Sequence, residues 1–200
     1  MSPPIVNFPS LQPAIVWKVN AGAAHPVASR VVHGAFTDKR VKETPTGTIE
    51  TVEGFEPQFT GKIDFGADWL EFDPDQKHAR INMKAIATTD DDKKISFGYT
   101  GTIELTEAVM KIFNQTPDSV SVPFGFSSEC FLLTMAMIET LSERNNVLAG
   151  AHSFFSGDPS FKELENMTLV GNGRMLVDPE TRMITVESRL SRVVPATGFD

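Results

Sequence analysis

An alternation of apolar and polar residues with a period of two recurs along most of this chain and constrains its fold more than any other feature. The clearest run spans residues 95–103, where one face carries Ile95, Phe97, Tyr99, Gly101 and Ile103. Successive side chains of a β-strand point to opposite faces, so such runs predict strands with one buried face. Short turn signals separate the runs, for example Asp73-Pro74-Asp75-Gln76, in which proline fixes φ and aspartate caps its own turn.

About eight to ten strands joined by short turns predict an all-β fold, either an antiparallel barrel or a sandwich. We favour a single antiparallel, lipocalin-like β-barrel, because closure removes exposed strand edges and a barrel of about eight strands can enclose one small ligand. A helical period is clear only at 106–115, and this short helix is expected to lie across one opening. Residues 1–200 are predicted to form one domain, with an irregular lead-in at 1–13 and a tail at 195–200.

The composition argues against several classes of partner. With a formal net charge of −8, the chain would repel the phosphates of nucleic acids and anionic membranes. No apolar run approaches the ~20 residues of a membrane span, so no membrane insertion is expected. Cys130 is the single cysteine, which excludes an internal disulfide and fits a reducing compartment. We therefore expect a cytoplasmic protein whose oligomeric state is open, with a homodimer as one alternative.

Residues 61–72, GKIDFGADWLEF, carry the strongest indication of chemistry in the sequence. Apolar residues occupy both parities, and the break at Gly66-Ala67 predicts a strand with a β-bulge. Asp68 follows at once, beside Trp69. Desolvation against aromatic surface would raise the pKa of this carboxyl toward that of a general base. The alternative is a structural aspartate that makes a turn hydrogen bond beside a core tryptophan.

The sequence lacks the motifs of cofactor-dependent chemistry. It contains no glycine-rich phosphate loop, no dinucleotide fingerprint and no nucleophile elbow. The four histidines are scattered rather than spaced as metal ligands. The acidic run at 90–92 lacks the spaced oxygen ligands of a calcium loop and is expected to be a solvated hairpin tip. We therefore predict neither a metal nor a cofactor.

A cofactor-free pocket would be built from aromatic side chains and a few polar groups. Tyr99 and His33 are the candidate donors to an oxygen that develops negative charge, with Asp68 as the candidate catalytic base. The candidate substrate-binding residues are Trp69, Phe65, Trp17, Phe97, Met83 and Phe124. The alternatives are that these aromatic residues form plain core and that the histidine is a packed or surface residue.

Several short blocks of the sequence resemble one known family. They are Gly54-Phe55, Phe59-Thr60-Gly61, Gly66-Ala67-Asp68-Trp69 and two looser stretches at 87–91 and 161–174. On these blocks the chain resembles the family catalogued as domain of unknown function 3237. The resemblance covers most of 46–193 and implies a β-barrel with an internal pocket, but little about chemistry. Fungal members of this type lie among natural-product pathway genes, which implies a secondary-metabolite ligand.

Two departures from the family pattern bear on the pocket. Gly98-Tyr99-Thr100 stands where the family pattern has polar or charged residues, and extra residues lie at about 140–160. Both departures indicate a larger or more apolar ligand. The segment 140–160 is polar and contains glycines, so we also expect it to be mobile without ligand and to affect substrate entry.

Three functions are compatible with these features. The first is a cofactor-independent isomerase or cyclase, including a pericyclase, that acts on an apolar secondary-metabolite intermediate inside the barrel. The second is a non-catalytic barrel that binds or carries such a compound. The third is a structural or partner-binding domain whose barrel is filled by its own side chains.

Overall fold

The fold was determined from a computed structural model, which describes residues 7–22, 24–28, 38–43, 46–130 and 153–197. Its elements follow in chain order: β1 (Ser10–Asn20), β2 (Ala24–Ala28), β3 (Asp38–Glu43), β4 (Thr46–Thr51), β5 (Thr60–Phe72), β6 (His78–Thr89), β7 (Lys94–Glu104), α1 (Glu107–Phe113), β8 (Val122–Cys130), β9 (Ser153–Phe155), a 3₁₀-helix (Pro159–Asn166), β10 (Leu169–Val177) and β11 (Ile184–Val194). The predicted all-β class is confirmed.

Most of the strands form a closed ring. Antiparallel pairings connect them in the order β5, β4, β1, β11, β10, β8, β7, β6 and back to β5. This ring is the predicted antiparallel β-barrel. Strand β3 continues the sheet from the second half of β5 and carries β2 on its far edge, while the short β9 pairs with the first half of β7.

The inward faces of the strands fill much of the barrel. In β1, Trp17 and its neighbours two residues away are buried, whereas Lys18 is exposed, as a period of two requires. Trp17 is paired in register with Ile49 of β4 and Ser188 of β11, and all three are almost fully buried. Each large apolar side chain that is removed from water contributes about 1.5–3 kcal/mol, so this interior is the main source of stability.

Helical segments close the two ends of the barrel. The Thr106 hydroxyl accepts a hydrogen bond from the N–H of Val109 (3.3 Å) and caps α1. The ring of Phe113 in α1 packs edge-on against Phe72 at the end of β5 (5.9 Å). At the opposite end, Phe161 of the 3₁₀-helix packs against Phe59, just before β5. No helix in the described part of the chain is long and apolar enough to span a membrane.

Strands β8 and β9 follow the same edge of β7, one after the other. Cys130, the last residue of β8, is in register with Thr100, and Ser153, the first of β9, is in register with Gly98. The chain therefore leaves this edge and returns to it on either side of Tyr99. Most of the predicted mobile segment, residues 140–152, lies outside the described residues. Its remainder contains β9 and the start of the 3₁₀-helix, neither of which the sequence predicted.

Candidate functional site

A β-bulge in β5 decides which of its side chains reach the barrel interior. Ile63 pairs with Ala87 and Phe65 with the adjacent Ile86, so Asp64 is the extra residue. The predicted break in alternation is therefore present, but it lies before Gly66-Ala67. An inserted residue moves every later side chain to the other face of the strand. As a result Asp68 faces the interior.

Asp68 lies on the wall of a cavity inside the barrel. The cavity has a volume of about 60 Å³ and a mainly apolar lining. Residues from β5, β6, β7, β10, β11 and α1 contribute to it, among them Leu70, Ile81, Met83, Ile112, Met175 and Val186. Its polar members are Asp68, Lys42, Tyr99 and Ser127. The sequence thus places a half-buried carboxyl among apolar side chains at the α1 end of the barrel.

The carboxyl of Asp68 occupies an interruption in the β5–β6 ladder. The two strands are paired up to Asp68 and Met83 and are paired again from Glu71 and Arg80 onward. Between these pairs, two residues of β5 and two of β6, all of them described, have no partner on the other strand. Here the backbone N–H of Asn82 donates a hydrogen bond to Asp68 Oδ1 (3.1 Å). Burial raises the pKa of Asp68 to about 7, although the Asn82 N–H opposes the shift by stabilising the charged form.

Tyr99 faces the same cavity from β7. Met83 is in register with Asp68 on one side and with Tyr99 on the other, so the three form one inward-facing row. Neighbouring strands lie about 4.8 Å apart, which places the backbones of Asp68 and Tyr99 about 10 Å apart. The ring of Tyr99 packs against Trp17, with ring centroids 5.1 Å apart. The structure therefore brings the predicted pair Asp68 and Tyr99 together around Met83.

Trp17 and Phe97 support this row from the core. The ring of Phe97 lies 6.2 Å from that of Trp17 and stacks on Phe154 of β9 at 5.9 Å. Among the described residues, the buried indole Nε1–H of Trp17 has no hydrogen-bond partner. Both residues are fully or almost fully buried. They hold Tyr99 in place but do not line the cavity.

Comparison with known proteins identifies the family. The model of the family described as protein of unknown function (DUF3237) matches residues 9–193. The chain belongs to this DUF3237 family. No curated protein matches the sequence.

Three crystal structures have a similar fold. A conserved protein of unknown function from Rhodopseudomonas palustris is 14% identical, with a TM-score of 0.65, and the match covers 94% of this chain and 99% of that one. A protein of unknown function from Clostridium acetobutylicum ATCC 824 is 11% identical (TM-score 0.60; 92% and 99% covered). A β-barrel-like protein from Acinetobacter baumannii AYE is 16% identical (TM-score 0.53; 95% and 98% covered). At these identities the likeness supports the barrel fold alone.

Besides Trp17 and Phe97, three more of the predicted substrate-binding residues do not line the cavity of this DUF3237 protein. Phe65 is 60% exposed and Trp69 borders a groove on the outer surface, because the bulge at Asp64 turns both away from the interior. Phe124 lies between the guanidinium groups of Arg174 (4.9 Å) and Arg189 (4.7 Å). Of the six predicted substrate-binding residues, Met83 lines the cavity, and the binding role of the other five stays a prediction. The apolar residues around Asp68 in the cavity do not include Trp69. His33 lies outside the described residues.

Two polar residues of the cavity were missed from the sequence. Lys42 belongs to a charged stretch of the sequence, and Ser127 follows an apolar run in β8. Lys42 is in register with Asp68, because β3 pairs with the second half of β5. That pairing joins residues far apart in the chain and depends on the position of the bulge, so no local pattern could have revealed it.

The outer groove is larger than the internal cavity but differs in chemistry. It has a volume of about 500 Å³ and a largely polar lining: Trp69, Glu71, Arg80, Ile81, Asn82, Lys84, Thr100, Gly101 and Thr102. Such a surface does not match the apolar ligand expected from the sequence. It lies behind Asp68, on the other side of the barrel wall.

One group of side chains in the β5–β6 turn has the donors of a metal site. The ligand atoms of Asp73, Asp75 and His78 lie within 4.8 Å of one another. However, the Arg80 guanidinium donates two hydrogen bonds to the Asp73 carboxylate (3.1 and 2.5 Å) and lowers its pKa. Because a fixed cation already holds this carboxylate, the group stabilises the turn as an ion pair.

Proposed function

We propose that this protein is a cofactor-independent isomerase or cyclase that moves a proton on an apolar small molecule inside its barrel. The observation that supports this most is Asp68, a carboxyl on the wall of an apolar cavity, where burial raises its pKa to about 7. A base with a pKa near the working pH is both partly deprotonated and strong enough to take a proton. The apolar lining favours an apolar substrate, and the proposal that it is an intermediate of secondary metabolism comes from the family resemblance.

The row of Asp68, Met83 and Tyr99 suggests the division of roles. Ionised Asp68 would take a proton from a carbon or hydroxyl group of the substrate. The Tyr99 hydroxyl would donate a hydrogen bond to the oxygen on which negative charge develops. Protonated Asp68 would then return the proton to another atom of the same molecule. The cycle consumes nothing, so it suits an isomerisation or a ring closure.

The cavity must enlarge to admit such a substrate. Its volume of about 60 Å³ is far below the ~300–1,000 Å³ of pockets that hold drug-sized ligands. Two methionines, Met83 and Met175, lie in its wall. Methionine side chains are unbranched and change rotamer readily, so they are the groups most easily displaced by a ligand. Phe113 at the α1 end is the third large side chain whose movement would open the cavity.

A model reaction tests the base without knowledge of the natural substrate. In the Kemp elimination of 5-nitrobenzisoxazole, a base removes the ring C–H proton while the N–O bond breaks, giving a coloured phenolate. We expect the purified protein to accelerate this reaction, with a rate that rises as pH passes through about 7. Asp68→Asn should lower the protein-dependent rate by roughly 10²-fold, the contribution of a positioned base.

Asp64→Asn is the matched control, because it removes a carboxylate from the outer face of the same strand. It should leave the rate unchanged. Equal rates for Asp68→Asn and the unmodified protein would show that Asp68 is not a base in this cavity.

A second candidate function is a barrel that binds an apolar compound without converting it. The hydrogen bond from the Asn82 N–H favours it, because this bond gives Asp68 a structural role that needs no substrate. Binding of apolar compounds without any Asp68-dependent rate would favour this carrier function over the enzyme.

A further inference from the structure

Three large apolar side chains lie in one row on the outer face of the barrel. Phe65 of β5 is in register with Ile86 of β6, Ile86 with Ser96 of β7, and Ser96 with Phe155 of β9. Phe65 is 60% exposed, Ile86 44% and Phe155 68%. We call these three residues and Ser96 the outer strip.

The register of the barrel produces this outer strip. The bulge at Asp64 turns Phe65 outward. In β9, Phe154 stacks on Phe97 in the interior, so Phe155 faces the opposite side of the sheet. Neighbouring strands lie about 4.8 Å apart, so the exposed side chains form one continuous patch across four strands. Single exposed apolar residues are ordinary, whereas a continuous patch is typical of a contact surface.

The outer strip has the pattern of a surface that fits a second copy of itself. In a face-to-face dimer, a twofold axis that runs along the strands between β6 and β7 places β6 of each copy over β7 of the other. The same axis places β5 over β9. Ile86 then faces Ser96 of the second copy, so a large side chain meets a small one on both sides of the axis. At the two ends of the strip, Phe65 faces Phe155 of the second copy, and the two rings can pack together.

The charges beside the outer strip do not oppose this contact. Lys94 binds the Asp64 carboxylate (2.9 Å), so the two charges on one side of the strip neutralise each other within each copy. On the other side Lys84 is in register with Gly98, so the same axis places each lysine over a glycine. A long lysine side chain has room there to reach the solvent at the edge. Each copy carries a net charge of −8, but at physiological salt this repulsion is screened beyond about 8 Å.

The size of the contact face indicates a weak and reversible dimer. Four strands span about 19 Å, and the strip with one row on either side spans about 20 Å along the strands, which gives roughly 400 Å² per copy. The total of roughly 800 Å² is below the ~1,200–2,000 Å² of stable complexes and falls in the range of transient ones. The expected dimer therefore forms only at high protein concentration.

We propose that the outer strip is the contact face of a homodimer, in which β6 and β7 of two copies pack face to face about a twofold axis. The contact lies outside the barrel wall, so the dimer does not depend on the proposed chemistry in the cavity.

Sedimentation equilibrium measures this association directly. At ~0.15 M salt, we expect the average mass to rise from monomer toward dimer as the protein concentration increases from about 2 µM to about 500 µM. Ile86→Ser should weaken the dimer about tenfold, because serine then faces serine and leaves a void on each side of the axis. Ser96→Ile should weaken it by a similar factor, because two isoleucines oppose each other in space that fits one.

The exchange of these two residues is the decisive variant. Ile86→Ser combined with Ser96→Ile again places a large side chain opposite a small one, so the double variant should regain most of the affinity. Leu11→Ser is the matched control, since Leu11 is an exposed apolar residue of β1 outside the strip, and it should leave the association unchanged. All three positions are exposed, so the variants should fold, and unfolding curves check this.

The proposal is overturned if the protein stays monomeric up to about 500 µM, or if Leu11→Ser weakens the dimer as much as Ile86→Ser does. It is also overturned if Ser96→Ile strengthens the association, because non-specific contact between apolar surfaces would gain from any added apolar side chain. A double variant that associates no better than either single variant contradicts an axis between β6 and β7.

Discussion

Asp68 and Tyr99 flank Met83 in a single row across β5, β6 and β7, and all three face one cavity. The row exists because the bulge at Asp64 turns Asp68 inward while β7 pairs with β6 in one continuous register. A carboxyl in such a place is costly to ionise. The cost of ionising Asp68 should therefore affect the stability of the protein as well as its reactivity.

The ionisation of Asp68 should make the protein less stable as pH rises. Its pKa is about 7 in the folded protein and about 4 when exposed, so the folded state holds a proton that the unfolded state has lost. The stabilisation is complete below about pH 4 and disappears as pH rises through about 7. Relative to the unmodified protein, Asp68→Asn should therefore gain stability as pH rises, by about 3–4 kcal/mol between pH 4 and pH 8. Denaturant unfolding at both pH values measures this.

The outward Asp64 should behave in the opposite way. Hydrogen bonds from Thr88 and then from Lys94 lower the pKa of Asp64, so its ionised form favours the folded state. Asp64→Asn should lose stability at neutral pH, and the loss should shrink as the pH falls toward the lowered pKa. Similar pH profiles for the two variants would contradict the assignment of these carboxyls to opposite faces.

The two faces of β5 also differ in what they bury. Leu70 is 6% exposed, whereas Phe65 is 60% exposed. Leu70→Ala should cost about 2–5 kcal/mol because it leaves a void in the interior. Phe65→Ala should cost less than about 1 kcal/mol, although phenylalanine is the larger residue. Thermal unfolding of both variants tests the position of the bulge, since a bulge at Gly66-Ala67 would bury Phe65 as well as Leu70 and make Phe65→Ala cost at least as much as Leu70→Ala.

The ion-pair cluster on the outer face of β10 and β11 should contribute substantially to the stability of the barrel. Glu187 is 2% exposed and pairs with Arg174 (2.6 Å) and Arg189 (3.2 Å). Burial acts to raise the pKa of Glu187, but the two guanidinium groups outweigh it and lower the pKa overall. Glu187→Gln should destabilise the protein by about 1–3 kcal/mol at neutral pH, because it leaves both cations beside a neutral group. The difference in unfolding free energy between Glu187→Gln and the unmodified protein should become smaller at acidic pH, where Glu187 itself becomes protonated.

Local patterns were sufficient to predict most of the strands, the short helix α1 and the barrel, because side-chain period and turn residues are local properties. They also pointed to Asp68 and Tyr99, which both lie on the wall of the internal cavity. It was harder to predict which side chains of β5 point into the barrel, because a bulge at Asp64 and one at Gly66-Ala67 leave the same local break in alternation. The choice depends on register with β6, which the sequence does not display, and it places Phe65 on the outer surface, whereas a bulge at either position turns Trp69 outward.

Two further placements depend on contacts between distant parts of the chain. Lys42 enters the cavity only because β3 pairs with the second half of β5. Phe124 is held on the outer face by Arg174 and Arg189, which lie about fifty residues or more along the chain. In the sequence, Phe124 is one of a run of apolar residues, and nothing in that run distinguishes a ring stacked on cations from one in a core.

A double-mutant cycle on Asp68 and Tyr99 distinguishes an enzyme from a barrel that binds its ligand without converting it. Tyr99→Phe removes only a hydroxyl and keeps the ring on Trp17, so the fold should be preserved. If both residues act on one bound molecule, Tyr99→Phe should lower the Kemp rate about tenfold in the unmodified protein. In the Asp68→Asn background the same change should have little further effect, because without the base there is no developing charge for the hydroxyl to stabilise.

Equal effects of Tyr99→Phe in both backgrounds would mean that the two residues act independently, and no effect in either would leave the row as part of a binding cavity. Unfolding curves of the four proteins show whether a lower rate reflects chemistry or a lower fraction of folded protein.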